Sequence, residues 1–240
     1  MIRFLKLCAA VVGLGLGLVL PALAQAQTLP ASAIALTVGN YLTIDGVKIT
    51  VTGTSVDCSQ GSADTGCGNL YMVPNSGPSA SVIIEAALGG IGSALEPIES
   101  EACGSICTSG FYDLSLTLTA TTVAGSAPLT GASVAITGSL APGGFGTTVG
   151  GTENFIGVNG CSGLSATLAS PQAACSFAPS NSVEANKDFG VNIGNSGAPG
   201  TYQLATITET FSTPEPASFT CLLSGALAIA AVRRRRRRQS

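Results

Sequence analysis

The feature that most constrains the fold is a strict alternation of apolar and small polar residues. Between Tyr112 and Val123, Leu114, Leu116 and Leu118 alternate with Ser115, Thr117 and Thr119. An extended chain places these leucines on one face and the hydroxyls on the other, whereas a helix would scatter both around its circumference. The same period runs through Tyr41-Leu42-Thr43-Ile44-Asp45-Gly46-Val47-Lys48-Ile49-Thr50-Val51. Here Asp45-Gly46 is a type I′ hairpin signal, and pairing across it sets Ile44 beside Val47 and Leu42 beside Ile49 on one apolar face.

Further strands are predicted from Ser32 to Val38, Asn69 to Val73, Ser81 to Leu88, Ala132 to Leu140, Gly163 to Leu168, Asp188 to Ile193 and Thr201 to Phe211. No stretch of the central region repeats with a 3.6-residue period. Roughly nine strands at such spacings imply one all-β domain over residues 27–212, an antiparallel β-sandwich or its jelly-roll form rather than a barrel. The glycine-rich run from Gly143 to Gly151 reads as a flexible loop. With neither a basic residue nor a helix after it, it is no phosphate cradle.

Charge is distributed by segment. The chain carries ten Lys and Arg against thirteen Asp and Glu. Eight of the cations lie in the terminal segments, and between residues 27 and 213 Lys48 and Lys187 face twelve carboxylates, a net of −10. Phosphate neutralisation requires clustered Lys or Arg, so nucleic acid is not an expected partner. The sequence contains no His and no Trp. This removes the usual general base near neutral pH, together with most nucleophile-plus-His catalysis. No cofactor is implied.

Both ends read as addresses. Arg3 and Lys6 precede an apolar run from Leu7 to Leu20 and a small-residue segment, Pro21-Ala22-Leu23-Ala24-Gln25-Ala26. This is the pattern of a secretory signal peptide over residues 1–26, with cleavage after Ala26, or after Ala24, since both close an Ala-x-Ala pair. At the other end, residues 213–240, Pro214-Glu215-Pro216 leads into sixteen mostly apolar residues, Ala217 to Val232. Arg233, Arg234, Arg235, Arg236, Arg237 and Arg238 follow. Sixteen helical residues span about 24 Å, and snorkelling arginines extend that reach toward the roughly 30 Å of a hydrocarbon core. The arginines form a cytoplasmic stop by the positive-inside rule, which leaves the domain on the exported side. Two terminal hydrophobic helices therefore flank the β domain.

The order Pro-Glu-Pro, short helix and arginine cluster resembles the PEP-CTERM sorting signal of exported bacterial proteins. The resemblance covers about 27 residues from Thr213 onward, with Thr213 where members often carry Val and with Cys221 inside the helix. It implies transient insertion in the inner membrane and recognition by an exosortase-type transpeptidase, after signal peptidase has acted at the other end. Removal of the tail and delivery to the cell surface or extracellular matrix would follow. Members are commonly associated with exopolysaccharide and biofilm, which makes exopolysaccharide an expected partner. The tail is shared by unrelated domains and assigns no activity to this one.

Cys8 and Cys221 belong to the end segments, leaving Cys58, Cys67, Cys103, Cys107, Cys161 and Cys175. An even count in an exported chain implies disulfides. Fifteen pairings are possible, and proximity favours 58 with 67, 103 with 107 and 161 with 175. A four-cysteine zinc site from Cys58, Cys67, Cys103 and Cys107 would lack the close pairing such sites use. Cys103-Gly104-Ser105-Ile106-Cys107 lacks the spacing and the basic neighbour of a redox-active pair.

Two further uses of carboxylates enter as alternatives. Glu96, Glu99 and Glu101 cluster on a Pro- and Gly-rich loop and offer the paired acids of a matrix polysaccharide hydrolase. Asp57 and Asp64 bracket the Cys58 loop and are weak candidates for calcium in an adhesion module, although their order does not follow an EF-hand. Tyr41, Tyr71, Tyr112 and Tyr202 fit half-buried strand positions better than glycan contacts. The leading expectation is a non-enzymatic structural or adhesion protein, with no catalytic residue and no metal.

Overall fold

A computed structural model describes residues 27–60, 69–77, 79–103, 111–140, 148–192 and 200–214. The expected signal segment, Glu215, Pro216, the segment 217–232 expected to be helical and the six arginines lie outside them, as do Asp64, Cys67 and Cys107.

The strands, in chain order, are β1 (Ile34–Ala35), β2 (Tyr41–Ile44), β3 (Val47–Gln60), β4 (Asn69–Asn75), β5 (Ala80–Ala87), β6 (Leu95–Glu96) and β7 (Glu99–Cys103). They continue with β8 (Phe111–Thr122), β9 (Leu129–Ser139), β10 (Thr148–Ile156), β11 (Leu164–Thr167), β12 (Gln172–Ser180), β13 (Ser182–Asn192) and β14 (Gly200–Ser212). They form two antiparallel sheets. The first runs β1-β4-β5-β14-β9-β12, with β6 on β5 and β7 on β14. The second runs β11-β10-β13-β8-β3-β2. One apolar core draws on both, including Ile84, Val134, Tyr202, Ile207 and Phe211 from the first and Val47, Ile49, Leu114, Leu116, Leu118 and Phe189 from the second.

The alternation seen in the sequence sets this core. Leu114, Leu116 and Leu118 are buried while Ser115 is exposed. The β2–β3 hairpin has the expected register, Ile44 opposite Val47 and Leu42 opposite Ile49. At its turn, Asp45 and Gly46 have φ of 49° and 77°, the left-handed conformation that a type I′ turn requires. Strand β5 lacks clean alternation for a structural reason. Its outer face is covered by the N-terminal segment, where Leu29 and Ala33 pack with Val73 and Ala87 and against Tyr71, Ile83 and Leu95.

Three expectations are corrected. The strand placed from Ser32 to Val38 shrinks to Ile34–Ala35. The acidic segment read as a loop contains β6 and β7, and β7 pairs along β14 with Glu101 opposite Tyr202 and Glu99 opposite Leu204. The glycine run read as a loop enters β10 at Thr148, and Gly150 and Gly151 sit in mid-sheet between β11 and β13. A Cβ on Gly151 would collide with the backbone of Asp188 and Phe189, and one on Gly150 with Ala166 and Thr167. These glycines permit close strand approach and are not hinges.

Candidate functional site

The two sheets bring together charges that lie far apart in sequence. Glu153 on β10, Lys187 on β13 and Glu209 on β14 each occupy the inward position of their strands. Their neighbours at that parity are Phe155, then Ala185 and Phe189, then Ile207 and Phe211, all buried. Lys187 is in register with Glu153 on one side and Leu116 on the other. Glu209 comes from the opposing sheet, between Val82 of β5 and Val134 of β9.

The Lys187 ammonium donates to Oε1 of Glu153 and, at 2.5 Å, to Oε2 of Glu209. All three side chains have 0% exposure. Burying charge is costly unless it is paired and every lone pair is engaged. Here pairing is incomplete, since Oε2 of Glu153 and Oε1 of Glu209 have no hydrogen-bond partner among the described residues. Two carboxyls also share a single cation. Burial pushes Glu209 well above the ordinary carboxylate range; the charge of Lys187 opposes this and that of Glu153 reinforces it. Burial by itself would lower Lys187, but the charges of Glu209 and Glu153 outweigh it and hold the ammonium above its usual value. Burial thus favours the neutral form of Glu209, while Lys187 keeps its proton more tightly than usual.

The remaining central-domain lysine is placed differently. Nζ of Lys48 lies 4.0 Å from the ring centroid of Tyr41 at the exposed β2–β3 end of the second sheet.

Each sheet carries small polar side chains on its outer face. Over the first sheet lies an open groove of about 410 Å³ lined by Ser133, Ala135, Gln172, Ala174, Thr208 and Thr210. Hydroxyl contacts cross the strands beside it: Thr210 and Ser81 oxygens are 2.9 Å apart, and those of Thr137 and Thr206 are 2.7 Å apart. On the second sheet the hydroxyls of Thr52 and Thr119 lie 3.1 Å apart. The tyrosines are used in three ways. Tyr202 is fully buried, Tyr71 is half-buried and donates to the Gly89 carbonyl at 2.7 Å, and Tyr41 is exposed.

Of the expected cysteine pairs, Cys161–Cys175 is present, with a Cα–Cα distance of 5.7 Å. Cys161 lies in the β10–β11 connection of the second sheet and Cys175 on β12 of the first, so the bond joins the sheets at one edge. Cys58 lies in β3, and Cys103 in β7 opposite Gly200. Their expected partners are outside the described residues, so those two pairs are not placed. Asp57 lies on β3 opposite Asp113 of β8. Among the described residues no group of three or more metal-ligating side chains gathers, and no helix is long and apolar enough to cross a membrane. Pro214 is half-buried just beyond β14.

The Glu153–Lys187–Glu209 cluster was not singled out in the sequence, although a signal existed. Ile207-Thr208-Glu209-Thr210-Phe211 alternates, and Glu209 falls on its apolar parity. Comparison of the chain with protein-family models, curated proteins and solved structures finds no match.

Proposed function

We propose that this chain is a non-enzymatic structural or adhesion protein of the bacterial cell surface or extracellular matrix, a β-sandwich carried between a signal helix and a PEP-CTERM sorting helix. The observation that supports it most is the exit of β14. This strand is hydrogen-bonded to β5 and β7 on one side and β9 on the other, and ends at Ser212. The Pro-Glu-Pro motif begins two residues later. A tail joined to a central strand without a linker transmits any pull on its anchor directly into the sheet.

The outer faces fit an exopolysaccharide partner in a limited way. The groove offers hydroxyl and amide groups that can exchange hydrogen bonds with sugars, and its lining contains no aromatic ring. Contacts of this kind gain little net energy each, about 0.5–1.5 kcal/mol, so useful attachment would come from many copies along a polymer. The polysaccharide-hydrolase alternative gains nothing from Glu153 and Glu209, which are acids brought together but sealed from solvent. Replacing Pro214-Glu215-Pro216 by three alanines tests the proposal in the native cell. The expected result is accumulation of the unprocessed chain in the inner membrane and its loss from the surface fraction. Undiminished surface display would count against it.

A further inference from the structure

We propose that Lys187 and Glu209 condense to an intramolecular amide, with Glu153 as the proton carrier, so that one covalent bond joins the two sheets through the core. The geometry that points to it is the meeting of an amine, a carboxyl and a second carboxyl in a site closed to water. Nζ of Lys187 lies 2.5 Å from Oε2 of Glu209 and also contacts Oε1 of Glu153. The nucleophile and the carboxyl carbon are therefore held together by the fold, the positioning that makes intramolecular reactions fast. Lys187 is flanked in register by Leu116 and Glu209 by Val82 and Val134, so the surroundings are apolar on both sides.

The step balances without any added reagent. Glu153 takes a proton from the ammonium; the two neighbouring acids hold that proton more tightly than usual, and the cost is offset because the transfer removes two charges from an apolar site. The free amine attacks Cδ of Glu209, whose carboxyl is pushed by burial toward the protonated, electrophilic form. The nitrogen–carbon bond forms, and Glu153, now neutral, gives its proton to the departing hydroxyl as it takes an N–H proton in exchange. The carbon–oxygen bond breaks and one water leaves. The product is an amide beside a neutral Glu153, so the core no longer contains a charge. One of the two carboxyl oxygens of Glu209 departs in that water, while the other becomes the amide carbonyl. The role of Glu153 as general acid and base is the kind worth about 10²–10⁴ in rate.

The choice of Glu209 over Glu153 as the linked residue rests on topology. Glu153 already neighbours Lys187 within one sheet, and a bond to it would staple adjacent strands. A bond to Glu209 closes a loop between β13 and β14 and fixes the tail-bearing strand to the opposite sheet. It lies within the core, away from the Cys161–Cys175 bond at the sheet edge, and reduction would leave it intact.

The test is mass spectrometry of the full chain, expressed with export, then reduced and denatured. The expected polypeptide is lighter than its sequence by one water, resists trypsin at Lys187, and on chymotryptic digestion yields a branched peptide joining Lys187 to Glu209. Lys187→Arg, which keeps the charge but cannot form the amide, should restore the full mass, and Glu153→Gln should slow bond formation at least a hundredfold. Should either variant fail to fold, the wild-type mass and branched peptide decide alone. A folded wild-type chain of full mass with trypsin-cleavable Lys187, or a branch at Glu153, overturns the proposal.

Discussion

Lys187 of β13 reaches across the core to Glu209 of β14, a 2.5 Å hydrogen bond that joins the two sheets in a mostly apolar interior. Removing one member of a buried pair leaves uncompensated polar groups, which costs about 3–5 kcal/mol. Lys187→Met retains length and apolar stem but strands Glu153 and Glu209 together. It is expected to lower unfolding free energy by that amount, read as a fall in denaturant midpoint without a change in slope.

Stability should depend on pH through Glu209. Its folded-state pKa is raised above the ordinary value of 4.5, so the folded chain binds a proton more tightly than the unfolded one. The resulting stabilisation is complete below pH 4.5 and is lost as pH rises through the raised value, by at most about 1.4 kcal/mol per pH unit. The contrast is clearest in Glu153→Gln measured while Glu209 is still unlinked, where burial, the largest cause of its shift, remains. Its melting temperature should fall with rising pH more steeply than that of the Glu153→Gln/Glu209→Gln double variant. Parallel curves would show that Glu209 does not titrate as described.

The Cys161–Cys175 bond closes a loop with a sequence separation of 14. Chain entropy gives about 3 kcal/mol for a loop of this size. Cys161→Ser/Cys175→Ser should lower stability by roughly 2–4 kcal/mol in denaturant titrations.

Gly151 tests the corrected reading of the glycine run. A methyl group there meets the Asp188 carbonyl of the neighbouring strand. Gly151→Ala is expected to cost about 1–3 kcal/mol by forcing β10 away from β13. Gly92→Ala, by contrast, meets no atom within 4 Å and is affected only by its φ of 85°. A flexible loop at Gly151 would tolerate the change without loss.

What the sequence made legible was whatever depends on local alternation. The Leu114-to-Leu118 strand and the Asp45-Gly46 hairpin needed only their own residues to declare a face and a turn. Strand β10 was hidden because its glycines resemble a loop in sequence, and only a neighbouring backbone reveals why no side chain fits. Strand β7 was hidden because Pro97 and the acidic residues around it suggested solvent, whereas β14 supplies the pairing. The Glu153–Lys187–Glu209 cluster draws on three strands and both sheets, so its members meet only after topology is known. Composition counted Lys187 as one of two central lysines, and nothing local distinguished it from the half-buried Lys48.

The most direct measurement is the mass of the mature protein recovered from the surface of its own cell. A processed chain beginning at Gln27 and ending close to Pro214-Glu215-Pro216, without residues 217–240, is the expected result. Surface-exposed protein that still carries the apolar segment and Arg233–Arg238 would contradict delivery by tail removal.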